Sequence, residues 1–351
     1  MTLDEAIKSI VPPDPAALVR AQARLDRLTK PVGSLGRLEE LAARYVAMTG
    51  EEVPKLPRAA IFTFAADHGV TIEGVSAYPS AVTAQMVLNF LRGGAAINVL
   101  AAHVGAEVWV VDIGVAYEFG SLPGLIARKI AHGTRNMLVE PAMTRDECQA
   151  ALAVGVELAE RAVRDGVGLI GTGDMGIGNT TSSAAIVAVM TGQPVQEVTG
   201  RGTGVDDRVL AKKITVIERA LAFHRPDPRD PVAVLSAVGG LEIAGLAGLI
   251  LGAASHRVPV VLDGFIAGAA ALIAAGLQPL CRDYLIASHL SVERGHQAAL
   301  KTLALKPLFD LDLRLGEGTG ACLGFHLVQA AVKILTQMAT FDEAGVSERT
   351  T

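Results

Sequence analysis

The chain has 351 residues, 50% of them hydrophobic and 19% charged, with a formal net charge of −5. That is enough for one large or two modest domains, and with aromatics at 4% the core must be built from Ala, Val, Leu and Ile. The acidic balance, with Lys212–Lys213 as the only lysine pair, argues against nucleic acid or an anionic membrane as partner.

Residues 1–50 read as helical. Met1-Thr-Leu-Asp-Glu lacks the basic-then-apolar order of a secretory signal, and the chain reads as cytoplasmic. Asp14-Pro15 predicts a helix start, with a capping carboxylate followed by proline in the first turn. A second helix is expected from Leu35 to Met48.

The middle of the chain alternates short β-branched runs with longer helical ones. Strands are expected at Ala60–Ala65, Glu107–Ile113, Gly168–Gly171, Val258–Leu262 and Tyr284–Ala287, and a sixth near Phe309–Leu313. Helices are expected at Ser80–Leu91, Thr180–Met190, Asp206–Phe223 and Leu241–Ala254. This alternation predicts an α/β fold, a mostly parallel sheet covered by helices on both faces. Gly264–Cys281 is a long uncharged run that barely reaches the length of a membrane span. Its glycines, alanines and Pro279 favour a buried helix followed by an exit loop. Leu323–Met338 is helical with no strand after it. It is expected to join the N-terminal helices in a small helical domain (1–50 and 323–351) beside a large α/β domain (51–322). The tail from Asp342 reads as polar and loose.

Each expected strand ends in a polar or glycine-rich cluster. These are Asp67-His68-Gly69, Asp112-Ile113-Gly114, Gly171–Gly176, Asp263-Gly264-Phe265, Ser288–Ser291 and Gly316–Gly320. Parallel sheets bind ligands at the carboxyl ends of their strands, so the clusters predict one cleft, although α/β loops are commonly polar.

Gly171-Thr-Gly173-Asp174-Met-Gly176 matches the dinucleotide fingerprint, but its acidic partner would be Glu197, which follows Gln193-Pro194 with no strand before it. A better reading extends the run to Thr181. Gly176-Ile-Gly178-Asn179-Thr180 would open a helix whose free N–H groups suit a phosphate. Gly200-Arg-Gly202-Thr-Gly204 is a second glycine-rich turn, followed by a helix carrying Lys213; the alternatives are a plain turn and a solvated helix face. Cys148, Cys281 and Cys322 form no Cys-x-x-Cys pair, and no histidine has metal-ligand spacing, so neither a metal nor a disulfide is indicated. His68 reads as a hydrogen-bonded turn residue. No Gly-x-Ser-x-Gly elbow supports a serine hydrolase. Glu317, flanked by Gly316 and Gly318 between an apolar strand-like run (Pro307–Leu315) and a helical run, is a candidate base; the bland reading is a tight turn with an acid in the first helical turn. A phosphate-binding cleft with carboxylates Asp174, Asp263 and Glu317 suits transfer of a phosphorylated sugar.

Taken in order, Lys30-Pro-Val-Gly-Ser-Leu-Gly-Arg-Leu-Glu39, Ala66–Val70, Gly171–Thr181, Gly200–Gly204, Asp263–Phe265, Ser288–Ser291 and Arg314–Ala321 closely resemble the nicotinate-nucleotide–dimethylbenzimidazole phosphoribosyltransferase family of cobalamin biosynthesis. The resemblance spans about Leu25 to Met338. It implies a Rossmann-like large domain, a small helical domain from both chain ends, a homodimer and no cofactor. The implied substrates are nicotinate mononucleotide and 5,6-dimethylbenzimidazole, and the products α-ribazole 5′-phosphate and nicotinate. The family's base falls on Glu317, its phosphate-side lysine on Lys213 and its glycine-rich turn on Gly202. Ser80 and Gln85 fall on the base-binding edge. Asp174, Gly176, Gly178, Asn179, Thr180, Asp263, Ser291, Leu315 and Gly316 are the other implied substrate contacts. One position departs: where the family usually reads Gly-Glu-Met-Gly, Asp174 is one methylene shorter and keeps the charge. The same chemistry with adenine or a phenol as acceptor, or a non-catalytic nucleotide-binding protein, stays open at this point.

Overall fold

The computed structural model describes residues 1–202 and 204–347. Thr203 of the glycine-rich turn and the last four positions of the expected loose tail lie outside the described residues.

Three helices come first: α1 (Leu3–Ser9), α2 (Pro15–Asp26) and α3 (Arg37–Thr49). Asp14 caps α2 as expected, its side chain accepting from the Ala16 N–H at 2.8 Å with Pro15 in the first turn. The strand β1 (Arg58–Ala66) is buried at every residue but the first, as in a sheet covered on both faces. The chain continues through α4 (Ala81–Leu91), α5 (Ala96–Val104), β2 (Glu107–Gly114), β3 (Leu125–Ala127), α6 (Arg145–Arg164), β4 (Val167–Met175) and α7 (Asn179–Thr191). It then forms α8 (Val195–Val198), α9 (Asp207–His224), α10 (Pro231–Val238), α11 (Leu241–Ser255), β5 (Val260–Leu262), α12 (Phe265–Leu277) and β6 (Leu285–Ala287). The last elements are α13 (Arg294–Thr302), α14 (Thr319–Gln337) and α15 (Phe341–Ala344). The start of the expected loose tail is thus helical, closed by a Thr340–Glu343 capping box.

The sheet has the order β3-β2-β1-β4-β5-β6, and every neighbouring pair is parallel. This is the expected Rossmann-like architecture, with the direction of winding reversed between β1 and β4. At such a reversal a crevice opens outside the strand ends.

Three expectations need correction. The glycine-rich run Gly171–Met175 is strand, not a turn, because β4 continues to Met175. Glycine inside a strand marks a close approach. A Cβ on Gly171 would strike Ile61 and Phe325, and one on Gly173 would strike the Glu317 carbonyl oxygen. Phe309–Leu313 forms no strand; it makes one parallel bridge, Phe309 to His289. The short β3 and the 20-residue α6 are additions to the elements expected above.

Gly264–Cys281 is, as expected, a buried helix (α12) with an irregular exit. By length and composition Ala81–Val104 and Thr319–Gln337 would suit a membrane, but the first is broken into α4 and α5, and the second packs on the sheet. Helix α14 starts four residues earlier than expected. Its Phe325 lies against β4, while its end meets α2, where Arg24 donates to the Leu335 carbonyl at 2.8 Å. Helix α1 packs on α6 and α11 rather than on α2 and α3.

Candidate active site

A cleft opens beyond the carboxyl ends of β4, β5 and β6. Eight of the expected residues line it together: Asp174, Gly176, Asn179, Thr180, Gly202, Ser291, Leu315 and Gly316. One wall is the start of α7. Gly178 sits there with φ 96°, a left-handed conformation that glycine adopts without penalty. The carboxylate of Asp174, at the end of β4, accepts from the Asn179 side-chain amide at 2.9 Å.

Lys213 does not line the cleft but lies directly behind that wall. Its ammonium donates to Thr180 Oγ1 at 2.7 Å and to the Gly200 carbonyl at 3.4 Å. A Cβ on Gly202 would stand 3.5 Å from the same nitrogen. Burial pushes the Lys213 pKa down to about 8, and the nearby Glu293 charge offsets this only in part.

The opposite wall is the turn before α14. Gly316, Glu317 and Gly318 have φ of 86°, 64° and 98°, three left-handed residues in a row. For Glu317, which has a Cβ, that conformation carries strain of roughly 1–3 kcal/mol and persists only because its surroundings over-determine it. The Glu317 N–H donates to the Asp174 carbonyl at 3.3 Å, and Thr63 Oγ1 donates to the Glu317 carbonyl at 3.0 Å. Asp263, below the cleft, accepts from the N–H groups of Gly318 (3.1 Å), Gly320 (2.7 Å) and Ala321 (3.3 Å). It thereby caps α14 and pins the turn. Burial raises the Asp263 pKa to about 7, against the pull of those three donors.

The Glu317 carboxylate is buried and does not itself line the cleft, which its neighbours Leu315 and Gly316 reach. Its Oε2 accepts from the Ile97 N–H in the first turn of α5 at 3.3 Å. Burial raises its pKa above the ordinary value, and the Ile97 N–H opposes this. Asp174 is pushed up more strongly, by burial first and then by the charges of Asp263 and Glu242.

The six expected clusters do not all reach the cleft. The aspartates ending β1 and β2 are both spent on fixing the loop that follows β2. Asp67 accepts from the Ala116 N–H at 2.8 Å, and Asp112 accepts from the Val115 N–H at 2.9 Å. His68 is buried and hydrogen-bonded as expected, with Nε2 2.6 Å from Glu242 and Nδ1 3.1 Å from Ser182. Ser80 and Gln85 are exposed and do not line the cleft. Their helix is tied to a lining residue through Thr83, whose hydroxyl accepts from the Ile177 N–H at 3.1 Å. Residues that sequence reasoning missed include His289, Glu293, Arg314, Phe265 and Ile266. His289 and Arg314 fall inside the motifs Ser288–Ser291 and Arg314–Ala321 but were not singled out within them, and Glu293 lies in no quoted motif. No cluster of metal-ligand geometry occurs among the described residues.

Asp263→Ala is expected to leave three buried N–H groups without their acceptor, each costing roughly 1–3 kcal/mol where nothing replaces it. Thermal denaturation should show a melting point lower by several degrees or more, and Asp263→Asn, which keeps one acceptor oxygen, should lose less. Unchanged melting of the alanine variant would contradict the anchoring role.

The chain matches a phosphoribosyltransferase family model over residues 10–346. It is 61% identical over 346 residues to the nicotinate-nucleotide–dimethylbenzimidazole phosphoribosyltransferase of Geobacter sulfurreducens, covering 99% of this chain and 98% of that one. The chain belongs to the nicotinate-nucleotide–dimethylbenzimidazole phosphoribosyltransferase family. The enzyme of the same name from Chloroflexus aggregans is 62% identical over 347 residues, with 99% and 98% of the two chains covered. The crystal structure of CobT from Thermus thermophilus superimposes with a TM-score of 0.91 at 50% identity, covering 95% of this chain and 100% of that one. The fold of this phosphoribosyltransferase and that structure are therefore the same, including the parallel sheet that carries the cleft.

Proposed function

We propose that this cleft moves the 5-phosphoribosyl group of nicotinate mononucleotide to 5,6-dimethylbenzimidazole, releasing nicotinate and forming α-ribazole 5′-phosphate. Family membership supports the reaction. The observation that supports the assignment to this cleft is a pair of buried charges, neither of which lines it but each of which adjoins one of its walls. A buried ammonium, Lys213, stands behind the N-terminus of α7, and a buried carboxylate, Glu317, stands in a strained turn across from it. The first suits the 5′-phosphate. The second suits a proton acceptor.

The chemistry follows from the substrates. The pyridinium nitrogen of nicotinate mononucleotide is already cationic, so the C1′–N bond breaks with its electron pair passing to a neutral ring nitrogen. No acid is needed. One benzimidazole nitrogen gives its lone pair to C1′, and the ring becomes cationic. Its other N–H then loses its proton to Glu317. Attack opposite the leaving nicotinate turns the β-riboside into the α-riboside. The Glu317 charge adds to the burial that raises the pKa values of Asp174 and Asp263, so the three carboxyls are electrostatically linked.

Homodimerisation and a division into a small helical unit (1–50 and 323–351) and a large α/β unit (51–322) belong to the same proposal. Exposed Ile72, Tyr78 and Val99 lie on or beside the α4–α5 segment that carries Ser80 and Gln85, and so supply apolar surface for a second copy. Ser80 and Gln85 stay in the proposal as base-side residues on the family resemblance alone, since both lie outside the cleft.

Purified protein mixed with nicotinate mononucleotide and a panel of bases should release nicotinate and form an α-riboside with dimethylbenzimidazole, read by chromatography. Preference for adenine or a phenol would revise the acceptor. Tight binding without nicotinate release would make it a binding protein.

A further inference from the structure

His289, just past β6, is buried, yet its ring reaches the cleft. The ring stacks on Phe309, with centroids 6.0 Å apart and planes inclined by 18°. Its other face is fixed by Gly320, where any side chain would run into Nδ1.

The hydrogen bonds around the ring determine where its proton sits. Nδ1 lies 3.0 Å from Ser288 Oγ, and Ser288 Oγ lies 3.3 Å from the main-chain oxygen of Asp263. A carbonyl oxygen can only accept. The single Ser288 hydroxyl proton therefore goes to Asp263, and the Ser288 oxygen accepts from Nδ1–H. The tautomer assigned by this network carries its proton on Nδ1 and a bare lone pair on Nε2. Burial lowers the His289 pKa to about 4, with Asp310 opposing, so the ring is neutral at pH 7. The neighbouring His296, whose ring centroid is 5.9 Å away, is lowered to about 3 and adds no charge.

Nε2 faces the start of α12, where a Cβ on Gly264 would stand 3.6 Å from it. No side chain caps that helix, and Phe265 and Ile266 of its first turn line the cleft. A group placed here meets backbone N–H donors on one side and a lone pair on the other. A phosphate or carboxylate oxygen would be repelled by the lone pair. A hydroxyl satisfies both, accepting from the helix and donating to the ring.

We infer that His289 Nε2 accepts a hydrogen bond from a ribose hydroxyl, 2′ or 3′, of the phosphoribosyl donor, and that this edge of the cleft selects ribose over deoxyribose. The inference rests on the phosphoribosyl transfer proposed above. It separates the two polar edges of the cleft: the α7 and Lys213 edge takes the anion, and the His289 and α12 edge takes neutral hydroxyls.

The test compares kcat/KM for nicotinate mononucleotide with that for its 2′-deoxy and 3′-deoxy analogues. The unaltered enzyme should discriminate about tenfold or more against at least one of them. His289→Phe keeps the ring on Phe309 but removes both nitrogens. It should lower kcat/KM for the ribose donor about tenfold and leave that deoxy donor nearly unchanged, so that the ratio collapses towards one. His289→Gln, whose amide oxygen reaches the Nε2 position, should restore part of the ratio. A general loosening of the site would lower all donors alike. A ratio preserved in His289→Phe overturns the inference. Equal use of all three donors by the unaltered enzyme overturns it even if the phenylalanine variant fails to fold. No turnover of nicotinate mononucleotide at all would overturn the transferase reading itself, and this inference with it.

Discussion

Glu317→Gln is expected to lower kcat by roughly 10²–10⁴-fold and to leave the KM for nicotinate mononucleotide nearly unchanged. The substitution is close to isosteric. Its amide oxygen can still accept from the Ile97 N–H that now meets Glu317 Oε2. The turn itself should persist, because its backbone is held by Asp174, Thr63 and Asp263, none of which is altered. What disappears is the ability to take the proton from an attacking benzimidazole. The pH dependence should carry the same signature. Burial raises the Glu317 pKa above its ordinary 4.5, so kcat should fall on the acid side as the carboxylate protonates through that raised value. Single-turnover measurements of nicotinate release would separate this chemical step from product release. Near-normal release by the glutamine variant would remove Glu317 from the role.

Lys213→Ala should act on binding instead. Lys213 acts from behind the wall, through the Thr180 hydroxyl and the Gly200 carbonyl; loss of such charge-assisted hydrogen bonds costs about 1.5–3 kcal/mol, so the KM for nicotinate mononucleotide should rise roughly 10–100-fold while kcat changes little. A weakened benzimidazole KM with an unchanged nucleotide KM would misplace the phosphate. The alkaline side of the profile gives an independent check. In the free enzyme the ammonium titrates at about 8 rather than 10.5, so kcat/KM for the nucleotide should fall as pH rises above about 8. Stability moves the other way. Between about 8 and 10.5 the unfolded chain holds the proton that the folded one has released, so stability from this group rises with pH in that window. Lys213→Arg, which stays charged, should abolish the alkaline fall even if its larger head binds the phosphate less well.

Much of this molecule was legible in the sequence because it depends on local pattern. Asp14-Pro15 announces a helix by capping chemistry alone. The strands of a doubly covered sheet announce themselves as near-continuous apolar runs, as Ala59–Ala66 does with Thr63 its one polar residue. The glycines around Glu317 point to a special turn because few other residues tolerate that backbone. The illegible parts depend on distant neighbours. Gly171 and Gly173 look like a loop and are strand, because what demands glycine there is Phe325 and the Glu317 carbonyl, more than 140 residues away. Asp67 and Asp112 have the composition of ligand contacts and serve to close loops, since a carboxylate accepting a backbone N–H has the same one-letter code as one awaiting a substrate. His289 lies inside the Ser288–Ser291 cluster, but nothing in the sequence sets it apart from its neighbours there. Its chemical state emerges only when Ser288 and the Asp263 carbonyl are brought beside it.

Helix α14 links the Glu317 end of the cleft to the far side of the molecule. Its 19 residues make a rod about 28 Å long. The Glu317 turn forms its head, and α2 grips its tail through the Arg24 contact to Leu335. Because α14 also packs on β1, β4 and β5, its tail and its head are held to one rigid base, and the N-terminal helices and the Glu317 turn share that base.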